Sequence, residues 1–238
     1  MNTATFAPRT PDMGARLYVY KITVDDGGAP CVTDELLTLG ICKPAIRKTA
    51  EPGAIIFGVG ANSAPLNNRL VYVAVVTGKE TGGRYYEAPK YACRADCIYK
   101  RDASGEFQRR KQARFHSDQR NMERDLGAPP DYPRANVLLS TEFRYFGNMQ
   151  PIEYPPRDSE LAKLVERLGR GHRINHPDKL REELLALKAK LWEKYTGKSR
   201  IGTPCHPPQS ALDSEGESCI EVCAPHGRIL DDNCSKGC

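Results

Sequence analysis

Short apolar runs rich in β-branched and aromatic residues dominate the first 150 positions of the chain. Residues 16–24 (RLYVYKITV) alternate apolar with polar positions, whereas 54–60 (AIIFGVG) and 70–78 (LVYVAVVTG) are continuous apolar runs. These patterns predict three strands, the last two forming a hairpin because the loop between them is polar and contains Pro65. Residues 136–147 (NVLLSTEFRYFG) predict a further strand, and 97–100 one more.

Helical signals are short in this first part and long after it. Asp34 is placed to cap a short helix carrying three leucines, and Pro44 is placed to begin a second short helix. After the proline-rich break at 151–156 the apolar period changes to that of helices. The positions that carry this period are Leu161, Leu164, Val165 and Leu168, then Leu180, Leu184, Leu187, Leu191 and Tyr195.

The elements together predict an α+β fold with a mixed or barrel-like sheet. We divide the chain into a flexible N-terminus (1–15), an α+β domain (16–150), a helical hairpin (151–200) and a cysteine-rich acidic tail (201–238). Residues 79–136 have few apolar runs, which predicts a long irregular region inside the domain.

The composition favours a folded protein with a slightly basic body. Of the 238 residues, 39% are hydrophobic and 27% are charged, and the net charge is +5. The acidic surplus lies in the tail, so the remainder is more basic and suits contact with a polyanion. The sequence shows neither an apolar stretch of membrane-helix length nor a signal peptide, which predicts a cytoplasmic protein without a membrane partner.

Cys42, Lys43 and Arg47 surround the predicted start of the second short helix. Both cations would suit a phosphate or carboxylate at this place. A cysteine there could act as a nucleophile. The alternative, which the spacing alone favours, is a small buried thiol with two solvated cations.

The segment 58–63 (GVGANS) follows a predicted strand but leads into another strand rather than a helix, unlike a dinucleotide fingerprint. Its glycines, Gly58 and Gly60, would allow close approach of the backbone or of a flat ligand. Asn62 and Ser63 are then candidate hydrogen-bonding groups at the rim of a pocket.

The irregular region interleaves cations such as Lys100 with aromatic residues such as Tyr99, as a nucleic-acid surface requires. A solvated basic loop is the alternative. His116, at the edge of this region, could transfer protons at neutral pH.

Five of the nine cysteines lie in the last 34 residues. Without a secretory signal, their spacing predicts a zinc site more readily than a disulfide framework. The candidate ligands are Cys219, Cys223, Cys234 and Cys238. A tail with free thiols is the alternative.

The order of several short motifs resembles one known family. They are C-K-P-x-I-R at 42–47, G-x-I-I-x-G-x-G at 53–60, L-V-Y at 70–72, D-x-I-Y at 96–99, H-S at 116–117 and V-L-L-S-x-x-F-x-Y-F-G at 137–147. Over residues 16–150 the chain resembles the second nucleotide modification associated domain family of phages and bacteria. The chain departs from the family pattern at Lys100 and Phe115, where that pattern has histidines.

The resemblance implies a role in making or handling modified bases in DNA, with DNA or a nucleotide and other base-modification enzymes as partners. The order of elements is also similar to small PUA-like barrels, including the EVE type, which hold a flipped base. That likeness implies a pocket with Tyr99 as the stacking face.

Three functional hypotheses follow. In an enzyme, His116 or Asp96 would transfer protons, Lys43 and Arg47 would hold phosphate, and Cys42 would be the alternative nucleophile. In a reader of modified bases, the same pocket would bind without changing a bond. In an interaction protein, the helical hairpin would mediate assembly.

Overall fold

The computed structural model describes residues 14–33, 35–155, 158–169 and 171–206. They form a mixed α+β fold. The strands are β1 (Leu17–Ile22), β2 (Cys31–Thr33), β3 (Leu36–Leu39), β4 (Ile55–Gly60), β5 (Leu70–Val75), β6 (Gly78–Glu80), β7 (Tyr99–Arg101), β8 (Phe107–Arg109), β9 (Val137–Ser140), β10 (Glu142–Tyr145) and β11 (His172–Arg173). The α-helices are α1 (Pro44–Thr49), α2 (Arg84–Glu87), α3 (Gln119–Leu126), α4 (Glu160–Arg167) and α5 (Asp178–Lys194), and a 3-10 helix spans Pro89–Tyr91.

The central sheet has the strand order β10-β5-β4-β1-β11. β1 and β4 are parallel, and every other neighbouring pair is antiparallel. The predicted strand at the start of the chain and the predicted β4–β5 hairpin are therefore confirmed.

A second sheet has the order β2-β3-β9-β6, and β7 pairs with β8 as a separate hairpin. Only Thr141 separates β9 from β10, so one stretch of chain passes from the second sheet to the central sheet. The described strands thus form separate sheets, and the barrel-like closure expected from the sequence is wrong.

Both faces of the central sheet are covered, which explains why β4 and β5 are continuous apolar runs. On one face, Leu17, Phe57 and Val73 pack with leucines of α4 and α5. On the other, Tyr20 and Ile56 pack with residues of α1 and the second sheet. The side-chain alternation along β1 divides its residues between these two cores.

Residues 79–136 are more ordered than their composition indicates. They contain β6, α2, β7, β8 and α3, and they build a third apolar cluster around Tyr85, Tyr86, Tyr99 and Phe107. The sequence predicts an irregular region because these helices and strands are too short to show a repeating pattern of apolar residues. Their core is formed instead by aromatic side chains that are spread along the segment.

The predicted helix after Asp34 is also wrong, because Leu36–Leu39 is strand β3. This strand pairs with β2 on one side and β9 on the other, so tertiary pairing outweighs the helical propensity of leucine. The predicted helix beginning at Pro44 is confirmed as α1. In the described part of the chain, no helix has the length and apolar character needed to cross a membrane.

Gly58 offers a test of the packing in the central sheet. A Cβ atom there would lie 2.3 Å from Cε1 of Tyr72 and 2.7 Å from Cδ1 of Ile22. We expect Gly58→Ala to lower the free energy of unfolding by about 1–3 kcal/mol, because the buried ring must shift. Urea denaturation measures the change, with Gly169→Ala as the control because a Cβ atom at that position would have no neighbour within 4 Å. Equal midpoints for the two variants would refute the steric explanation.

Candidate functional site

Cys42 lies in the tight turn that joins strand β3 to helix α1. Its φ is 59° and that of Lys43 is 43°, so two successive non-glycine residues adopt the left-handed conformation. Such conformations are costly and concentrate at functional sites. The surrounding structure must therefore stabilise this strained turn, and in doing so it fixes the position of the Cys42 thiol.

His116 brings an imidazole to this thiol from the loop between β8 and α3. Its Nε2 lies 3.2 Å from Sγ of Cys42. On the opposite side of the ring, Nδ1 lies 2.5 Å from Oδ2 of Asp125. We call Cys42, His116 and Asp125 the thiol triad, since they form a connected nucleophile, base and orienting carboxylate.

Asp125 is buried in the last turn of α3 and organises the triad. Oδ1 accepts the backbone N–H of Cys42 at 2.8 Å, and Oδ2 accepts the Tyr99 hydroxyl at 2.8 Å as well as His116. One carboxylate thus fixes both the nucleophile's backbone and the orientation of the imidazole.

Arg47 supports the same arrangement from α1. Its side chain is fully buried, and Nε donates to the Cys42 carbonyl at 2.6 Å while Nη2 donates to the Asp125 carbonyl at 3.0 Å. Nη1 donates to the carbonyls of Arg134 and Asn136. This guanidinium is saturated by protein acceptors, so it serves the site as a brace rather than as the phosphate ligand expected from the sequence.

A second arginine holds the loop that carries His116. Nε of Arg109 donates to the Phe115 carbonyl at 3.0 Å, and Nη2 donates to the Ala113 carbonyl. Asp118 then caps α3 by accepting the backbone N–H of Arg120. These contacts fix His116 between a braced loop and a capped helix.

The environment of His116 favours its protonated form. Burial disfavours the imidazolium, but hydrogen bonds to Asp125 and Cys42 and the charges of both groups outweigh it and raise the pKa of His116 from 6.5 to about 9. An imidazolium produced by accepting the proton of the thiol is therefore stabilised where it forms.

Lys43 lies beside the triad with its charge close to an aromatic ring. Nζ is 5.0 Å from the centroid of Tyr20 and donates to the Lys21 carbonyl at 2.9 Å. Burial lowers the pKa of Lys43, although the neighbouring charge of Cys42 opposes this. Among the described residues, no carboxylate lies within ion-pair distance of this ammonium group.

The residues of the predicted glycine-containing pocket mainly serve packing. Gly58 lies against Tyr72, and a Cβ on Gly60 would lie 2.7 Å from Cβ of Leu66. The Asn62 side chain accepts a hydrogen bond from Nζ of Lys21 at 2.8 Å, and Ser63 lies exposed in the β4–β5 turn.

Asp96 and Tyr99, two other sequence-predicted residues, are fully buried. The Asp96 carboxylate accepts hydrogen bonds of 2.6 Å from the hydroxyls of Thr38 and Tyr85, and burial raises its pKa. Tyr99 has no exposed face for base stacking, and its hydroxyl instead binds Asp125. Lys100 is exposed on β7.

The proposed zinc ligands Cys219, Cys223, Cys234 and Cys238 lie outside the described residues, so the zinc site stays a prediction. Within the described ranges, no group of three or more histidine, cysteine, aspartate or glutamate side chains is placed to hold a metal ion.

A match to a protein-family model identifies the family of this chain. Residues 14–207 match the model of nucleotide modification associated domain 2. The chain belongs to the nucleotide modification associated domain 2 family. The resemblance seen in the sequence is thereby confirmed, and membership gives the protein a role in nucleotide or base modification. No curated protein and no solved structure matches the chain, so the expected likeness to PUA-like barrels gains no support.

In this nucleotide modification associated domain 2 protein, sequence reasoning missed Asp125. Asp125 is one of several charged residues in a short polar helix, and its pattern does not mark it as buried. No local signal in the sequence marks Asp125, because the contact with the Cys42 backbone spans 83 positions.

His116 makes stability depend on pH. Its pKa in the folded protein, about 9, exceeds the ordinary 6.5, so the stabilisation is complete below pH 6.5 and is lost as pH rises through 9. We expect the free energy of unfolding to fall across this window. Denaturation at several pH values should show a smaller fall in His116→Asn, chosen because asparagine tolerates the φ of 52°. The exposed control Asp131→Asn should retain the fall of the wild type; parallel curves for wild type and His116→Asn would contradict the assignment.

Proposed function

We propose that this protein modifies nucleotides or DNA bases by covalent catalysis through the thiol of Cys42. The observation that carries the proposal is the continuous chain of contacts from Sγ to Nε2 of His116, at 3.2 Å, and from Nδ1 to Asp125, at 2.5 Å. A nucleophile, a base and an orienting group in this order constitute the geometry of activated-nucleophile enzymes.

Each member of the triad has a defined task. His116 accepts the proton of the thiol through Nε2, leaving a thiolate to attack the substrate. Asp125 accepts the Nδ1–H of His116 and so leaves Nε2 facing the thiol. Arg47 and Tyr99 hold this carboxylate in place. His116 thus keeps the proton-transfer role expected from the sequence, while Cys42 becomes the leading nucleophile.

Lys43 supplies the charge for an anionic substrate. Its neighbours include the Lys21 carbonyl, the Tyr20 ring and the Cys42 thiol, and Arg124 adds a second positive charge nearby. A nucleotide phosphate or a DNA backbone phosphate would complete the ion pairing of Lys43. Lys43 therefore keeps the phosphate-binding role expected from the sequence. Arg47, which was expected to share that role, instead supports the structure of the site.

The catalytic proposal is tested by mass spectrometry of nucleosides from cells that carry the protein with its native neighbouring genes. We expect a modified nucleoside, or one of its precursors, to disappear in Cys42→Ala and His116→Asn because each removes part of the triad. Cys205→Ala, which removes a thiol away from the triad, is the control. An unchanged nucleoside profile in Cys42→Ala, at equal protein abundance, would exclude thiol catalysis and favour a base reader.

The charge proposal is tested with a matched pair of alkylating probes. Iodoacetate is anionic and iodoacetamide is neutral, and both alkylate thiolates. We expect Lys43→Met to reduce the ratio of iodoacetate to iodoacetamide rates at Cys42 several-fold, because the attraction at short range is lost. Lys48→Met, on the exposed face of α1, should leave the ratio unchanged. Peptide mass spectrometry assigns the modified cysteine, and an unaltered ratio in Lys43→Met would contradict the role.

A further inference from the structure

The turn around Cys42 has the geometry of a nucleophile elbow. Strand β3 ends at Leu39, α1 begins at Pro44, and Cys42 has a φ of 59° in the sharp turn between them. This strained strand-to-helix turn presents the nucleophile of many acyl-transferring enzymes clear of its own backbone. Gly40, two positions earlier, is required because a Cβ atom there would lie 2.7 Å from Oδ2 of Asp96.

The backbone amide after the nucleophile is free to bind an oxyanion. The N–H of Cys42 donates to Asp125, but no acceptor for the N–H of Lys43 is found in the described part of the chain. In an elbow, the N–H that follows the nucleophile is one of the donors that bind the oxygen of a tetrahedral intermediate. Lys43 follows Cys42 directly in the chain, so its unpaired N–H is the candidate donor to such an oxygen.

We propose that Cys42 catalyses acyl transfer, an inference that rests on the proposed thiol catalysis and specifies its substrate as a carbonyl compound: an ester, thioester or amide. The Cys42 thiolate forms a bond to the carbonyl carbon, and the carbonyl π-electron pair moves to oxygen beside the N–H of Lys43. As the tetrahedral intermediate collapses, the bond to the leaving group breaks. His116 gives that group its proton, and a thioester remains on Cys42.

The second half of the reaction reverses these roles. Water or an amine gives its proton to His116 as it attacks the thioester, and Cys42 leaves as a thiolate. Atoms and charge balance without any oxidant or metal. Addition of a thiolate to C6 of a pyrimidine is the competing thiol reaction in base modification, but it puts negative charge on the base rather than on an oxygen bound to the attacked carbon.

The test compares an acyl probe with an alkylating probe on the full chain. p-Nitrophenyl acetate forms an oxyanion when a thiolate attacks it, whereas iodoacetamide does not. We measure both rates at Cys42 and divide the first by the second, with N-acetylcysteine at the same pH as the reference. The N–H of Lys43 should raise this ratio about 100-fold above that of the reference thiol. Mass spectrometry should place the acetyl group on Cys42, and hydroxylamine should remove it.

The outcomes separate this inference from the proposed function. If iodoacetamide reacts rapidly and His116→Asn slows it, while the ratio equals that of N-acetylcysteine, thiol catalysis stands and acyl transfer is overturned. If iodoacetamide reacts no faster than with the reference thiol and His116→Asn has no effect, both fail. Asp131→Asn should behave as wild type in both assays, and Asp125→Asn should lower both rates.

Discussion

The buried carboxylate of Asp125 is the constraint on which the site depends. It accepts hydrogen bonds from the Cys42 backbone, from His116 and from Tyr99, and it faces the guanidinium of Arg47. A buried charge is tolerated only when its hydrogen bonds are satisfied and an opposite charge lies close. These partners come from three separate parts of the chain, residues 42–47, Tyr99 and His116, so the energetic requirement of one group brings them together.

This requirement explains why the region 79–136 matters although its helices and strands are short. Its aromatic residues form the third core, and that core supports β7, β8 and α3 beneath the second sheet. The same region carries His116 and Asp125, while the turn after β3 carries Cys42. Two arginines near the triad act as braces: Arg47, which was expected to hold phosphate, and Arg109, from the region expected to form a nucleic-acid surface, both bind backbone carbonyl groups.

Family membership and geometry contribute different parts of the functional conclusion. The match over residues 14–207 establishes a role in nucleotide or base modification. The thiol triad, the strained turn and the free N–H of Lys43 lead to the proposals of covalent catalysis and acyl transfer. The exocyclic amines and hydroxyls of a nucleotide are chemically able to accept or release an acyl group, so the two lines of argument are compatible.

The sequence alone determined the family, the α+β class, the strands β1, β4 and β5, and the helix that begins at Pro44, because these features depend on local pattern and on motifs. It also marked Cys42, Lys43 and His116 as chemically capable. Tertiary structure decided that Leu36–Leu39 is a strand, that Tyr99 and Arg47 are buried, and that Asp125 joins Cys42 to His116. Burial and contact between residues 83 positions apart arise from packing of the whole domain, which no local periodicity encodes.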